Sequence, residues 1–69
     1  MNEEIADDQL VEFCQWFKDH YKRSESYMSA MTTCLCGYFH TYPREASKLL
    51  NRCMSLSLME KRKNKVYLK

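Results

Sequence analysis

Cysteines at 14, 34, 36 and 53 and histidines at 20 and 40 have the most chemistry to offer, as metal ligands, nucleophiles or disulfide partners. Zinc sites draw on Cys pairs with about two to four residues between them and a matching second pair. Cys34 and Cys36 have a single residue between them, and on a helix that spacing turns them roughly 200° apart. Cys14 and Cys53 each sit inside an apolar stripe, where a free thiol behaves as a small hydrophobe. The acidic start, Met1-Asn2-Glu3-Glu4, is the opposite of the basic start of a secretion signal. The thiols are therefore expected to stay reduced, in a cytoplasmic or nucleoid-associated protein. We expect four structural cysteines, no metal and no cofactor.

Catalytic patterns are missing. There is no Gly-rich phosphate loop, no HExxH and no recognisable nucleophile–base pair. Asp7-Asp8 reads as a helix cap and Asp19-His20 as helix-end polar residues. A chain of 69 residues has little room to enclose a substrate pocket, so an enzyme is not expected. No apolar run approaches the ~18 residues that span a membrane. The net charge of +2 hides an asymmetry. Residues 1–20 carry six acidic side chains against Lys18, giving −5, whereas residues 21–69 carry ten Lys and Arg against Glu25, Glu45 and Glu60, giving +7. A basic C-terminal two-thirds is the electrostatic footprint of a nucleic-acid binder, although a solvated face that keeps the protein soluble would look the same.

With 45% hydrophobic and 29% charged residues, one Gly and one Pro, the chain reads as one mostly helical domain. Leu10, Phe13, Cys14, Phe17 and Tyr21 form a single helical stripe, capped by Asp7 or Asp8, with acidic residues crowding the first turn. That predicts a first helix over about 7–22. Lys22-Arg23-Ser24-Glu25-Ser26 is the connector. Tyr27, Met28, Met31, Leu35, Tyr38 and Phe39 then predict a second helix over about 27–38. Ser24 or Ser26 could cap it, or it could begin near 32 behind Thr32 and Thr33. Gly37 hints at its approaching end. After a tight corner at Phe39-His40-Thr41-Tyr42, Pro43 suits the first position of a third helix over about 43–55. Ala46, Leu49, Leu50 and Cys53 are its inner stripe. Arg44, Ser47, Lys48, Asn51 and Ser55 lie opposite, with nothing acidic among them, while Glu45 points to the flank near Arg52.

After Ser55 the period changes. Leu56, Leu58 and Glu60 share one face of an expected strand with Met59 behind, and Val66 and Leu68 share a face of a second strand with Tyr67 behind. Arg62-Lys63-Asn64-Lys65 supplies the turn, with Asn64 suited to a positive φ. The pair predicts a β-hairpin over about 56–68 with a basic tip.

Helix, helix, tight turn, helix and basic-tipped hairpin resembles the winged helix-turn-helix DNA-binding family. The stretch TTCLCGYFHTYPREASKLLNRCMSLSLMEKRKNKVYL carries the pattern, with His40-Thr41-Tyr42 as the turn, Pro43 to Ser55 as the recognition helix and LSLMEKRKNKVYL as strand–wing–strand. Ser57 stands where these domains commonly have a glycine. The resemblance implies a mainly α fold of three helices plus a wing, and a small double-stranded DNA-binding protein acting as a transcriptional regulator or DNA-transaction accessory factor. The third helix would enter the major groove and the wing would touch the backbone. Arg44 and Asn51 are the expected base readers, because Arg can pair with guanine and Asn with adenine bidentately, with Ser47 and Lys48 beside them. Lys61, Arg62, Lys63 and Lys65 would meet phosphates. An alternative is a protein–protein interaction module on the same scaffold, using its Met, Trp and Tyr residues. A third possibility is a homodimer, or a domain of a larger assembly, paired through the acidic first helix.

Overall fold

The computed structural model describes residues 5–69. Three helices and three short strands follow one another as α1 (Asp7–Tyr21), β1 (Glu25–Tyr27), α2 (Met28–Phe39), α3 (Pro43–Ser55), β2 (Met59–Arg62) and β3 (Lys65–Leu68). All strand pairing is antiparallel, in the order β1-β3-β2. The architecture is mainly helical, with a small sheet closed by the C-terminal hairpin.

The inner residues of the helical stripes read from the sequence are buried, whereas Tyr21 and Tyr27, counted with those stripes, are 44% and 56% exposed. Leu10, Phe13, Cys14 and Phe17 of α1, Met31 and Leu35 of α2, and Ala46, Leu49, Leu50 and Cys53 of α3 converge on one core with Met59, Val66 and Leu68 of the hairpin. Phe13 is its hub, edge-on to Tyr38 at 5.1 Å and tilted against Phe17 and Phe39.

The start of α1 corrects one expectation. Neither Asp7 nor Asp8 is the cap: Ala6 holds that position, and its N–H donates to Gln9 Oε1 at 2.8 Å. Asp7 and Asp8 instead fill the first turn, where carboxylates favour the orphan N–H groups and the helix dipole. Asp7 also receives Arg52 of α3, whose Nη1 donates to the carbonyl of Ile5 at 2.8 Å. Arg52 is therefore engaged with α1, and Glu45 pairs instead with Lys48 at 3.8 Å.

The connector before α2 contains a strand that its polar composition did not announce. Glu25, Ser26 and Tyr27 register with Tyr67, Val66 and Lys65. Helix α2 begins at Met28, immediately after β1, with Tyr27 as its cap and no side-chain cap bond. Its first N–H is satisfied from the hairpin, by the carbonyl of Asn64 at 2.9 Å. Thr32 and Thr33 are interior residues whose hydroxyls donate back to the carbonyls of Met28 and Ser29.

Helix α3 ends in a Schellman turn. The N–H of Ser57 reaches Met54 O at 3.1 Å, that of Leu58 reaches Cys53 O at 2.9 Å, and Ser57 adopts φ 63°. This left-handed position is the one for which glycine is suited, and a serine occupies it. The turn consumes 56–58, so β2 starts at Met59 and not at about 56 as expected. Met59 faces the core at 2% exposure, while Leu56 is 41% exposed and Leu58 and Glu60 are half-buried. In β3 the pattern Val66-in, Tyr67-out, Leu68-in is present. The two-residue turn between the strands places its positive φ, 57°, on Lys63 and not on Asn64.

Candidate nucleic-acid interface

Helix α3 carries Arg44, Ser47, Lys48 and Asn51 on its solvent side, all exposed, with Ser55 continuing the row. Ala46, Leu49, Leu50 and Cys53 hold the helix down on the opposite side, at 4% exposure or less. The spacing of 3.6 residues per turn separates the two sets. Lys48 shares its charge loosely with Glu45, and its side chain remains 68% exposed. Among the described residues, Arg44 has no ion-pair partner.

At the entrance to α3, Tyr42 is 78% exposed, which the sequence reading did not single out. Its position beside Pro43, just ahead of a helix whose inner face is fully used, was the available signal. Helix α2 reaches this corner through His40, at φ 54°, with Thr41 N–H closing back on Cys36 O at 3.0 Å.

The four basic residues of the hairpin are not equivalent. Arg62 and Lys65 are register partners on the outer side of the sheet. Arg62 Nε donates to Glu60 Oε2 at 2.9 Å and its guanidinium lies 5.4 Å from the Tyr67 ring centre. Lys65 sits 3.7 Å from Glu25 and 5.2 Å from the Tyr27 ring centre. Both cations are thus partly occupied within the protein. Lys61, opposite Val66, alternates to the other side of β2, and Lys63 stands at the tip. Among the described residues these two have no ion pair, so they are the hairpin charges that an external anion meets without competition. The tip itself is short and tied to α2 through Asn64.

Glu60 shapes this charge pattern. Its hydrogen bond from Arg62, then the Arg62 charge, hold its carboxyl below the ordinary value, and Lys69 approaches its other oxygen at 3.9 Å.

The cysteines divide by depth. Cys14 and Cys53 are in the core, at 5% and 0% exposure. A hydrogen bond between them lowers the pKa of the Cys14 thiol, and the same bond with burial pushes that of Cys53 well up. Cys34 and Cys36 are half-buried on α2, with the Cys34 thiol 3.7 Å from the Tyr21 hydroxyl. Among the described residues, no three His, Cys, Asp or Glu side chains come together as a metal-binding group, and no helix is long and apolar enough to cross a membrane.

Comparison with protein-family models, with curated proteins and with solved structures finds no match.

Proposed function

We propose that the protein binds double-stranded DNA as a small winged helix-turn-helix regulator or accessory factor. The observation that carries this reading is the outer face of α3, where Arg44, Ser47, Lys48 and Asn51 are all exposed opposite a fully buried stripe. A face with bidentate donors and no carboxylate suits base edges in a major groove. The element order supports the reading too: a strand between α1 and α2, a short corner before α3, and a hairpin directly after it. Lys61 and Lys63 would neutralise phosphates, with Arg62 and Lys65 contributing once released from their intramolecular pairs.

Titration against duplex DNA at two salt concentrations tests it. Replacing Lys61 and Lys63 with Ala should weaken binding to all duplexes alike and reduce the salt slope by ~1–2. Replacing Arg44 or Asn51 with Ala should cost ~1–3 kcal/mol on a selected site and little on random DNA. Absence of binding by the parent at low salt would sink the proposal and favour a protein-interaction role.

A further inference from the structure

Away from α3 and the hairpin tip, an open groove of about 390 Å³ lies between the end of α1 and the outer side of α2. Buried Phe17 contributes to it, and Tyr21, Ala30, Thr33 and Cys34 line it as well. The Cys34 thiol and the Tyr21 hydroxyl meet at 3.7 Å, which joins the two helices there. Arg23 and Ser26 complete the lining, and the groove has no carboxylate. Among the described residues Arg23 has no ion-pair partner, although the protein spends Arg52 and Arg62 on acidic neighbours.

An apolar trough with one uncommitted guanidinium has the chemistry to hold a flat hydrophobic anion. The rings would displace water from the Phe17–Tyr21 side. A carboxylate or sulfonate would take the guanidinium through paired, charge-assisted hydrogen bonds. The volume falls in the range of small-molecule sites, roughly 300–1,000 Å³. We propose that this groove is a binding site for a small aromatic or otherwise apolar anion, anchored by Arg23. The site stands independently of the DNA-binding reading, since no residue of α3 or of the hairpin lines it.

Anilinonaphthalene sulfonate, an apolar anion, is the probe. Added to the folded protein it should bind saturably at one site and quench Trp16, the single tryptophan, whose ring centre is 5.8 Å from that of Tyr21. Amide shifts should map to the end of α1 and the first half of α2, around Ala30, Thr33 and Cys34. Arg23→Gln should weaken binding about 10-fold, the loss expected for a charge-assisted contact. Thr33→Trp and Ala30→Leu, both at exposed positions, should each block binding while leaving the amide spectrum folded. Neutral phenylnaphthylamine should bind more weakly than the sulfonate and be indifferent to Arg23→Gln. Non-saturable binding, or binding unchanged in both groove-filling variants, would overturn the proposal. Equal affinity for the neutral analogue would overturn the role of Arg23. Self-association relieved by Thr33→Trp, with no probe binding, would assign the groove to a second copy of the chain and overturn the small-ligand site.

Discussion

Arg52, in the last turn of α3, donates a hydrogen bond of 2.8 Å to the backbone carbonyl of Ile5, ahead of the first turn of α1. The same guanidinium takes the Asp7 carboxylate, so one side chain joins the beginning of the first helix to the end of the third. One of its partners is a backbone carbonyl and its side chain is only 37% exposed, unlike Lys48, paired with Glu45 along one helix at 68% exposure. Arg52→Ala should therefore destabilise by about 1–2 kcal/mol in urea unfolding, and Lys48→Ala by less than ~0.5 kcal/mol. Equal effects would remove Arg52 from this tethering role.

Ser57 holds φ 63° without the freedom of glycine, while the only glycine, Gly37, stands exposed inside α2 with open space where a Cβ would go. The two positions would gain from the opposite residues. Ser57→Gly should stabilise by about 1 kcal/mol through relief of the left-handed strain. Gly37→Ala should add about 1 kcal/mol through helix propensity. Thermal melts of the single and double variants should rise additively, because the sites lie on separate elements, the turn after α3 and the body of α2.

Phe17 is 2% exposed and Cys53 fully buried. Phe17→Ala should cost ~3–5 kcal/mol, enough to unfold most of so small a protein, and circular dichroism would report it. Cys53→Ser places a hydroxyl in the buried core beside Cys14 and should cost ~1–3 kcal/mol by the same measure.

The Glu60 carboxyl, held low by Arg62, favours the folded state at neutral pH. That contribution is fully present above the ordinary carboxylate value, and it is lost as pH falls through the depressed one. The melting temperatures of parent and Glu60→Gln should therefore differ at pH 7 and converge in acid. The substitution also frees Arg62, so under the DNA-binding reading Glu60→Gln should bind duplexes more tightly, with a salt slope steeper by ~1. A weaker-binding Glu60→Gln would remove Arg62 from the phosphate contacts.

Helices α1 and α3 were legible because their stripes repeat over three or more turns, leaving one face that can be buried. The exposed face of α3 came with them, since it is the complement of the stripe. The strand at Glu25-Ser26-Tyr27 was not legible: three half-polar residues carry no alternation, and only pairing with β3, far along the chain, makes them a strand. The start of the hairpin was misplaced for a related reason. Leu56-Ser57-Leu58 fits a period of two as well as the strand does, and only the turn at Ser57 removes 56–58 from the strand. Side-chain traffic such as Arg52 to Asp7, or Arg62 to Glu60, depends on geometry that charge counting does not contain.

Strand β3 lies at the centre of its sheet although it is the last of the three in chain order. Its residues Lys65, Val66 and Tyr67 meet β1 at Tyr27, Ser26 and Glu25, so two helices and a hairpin must be looped in before the first strand acquires a neighbour. Loop closure of that length precedes any reward from pairing. On a ribosome, α1, α2 and α3 can emerge and fold in turn, whereas β1 waits unpaired until residues 65–68 have cleared the exit tunnel. A message truncated before Lys65 would leave two strand edges exposed at once, marking the fragment as a substrate for chaperones and proteases.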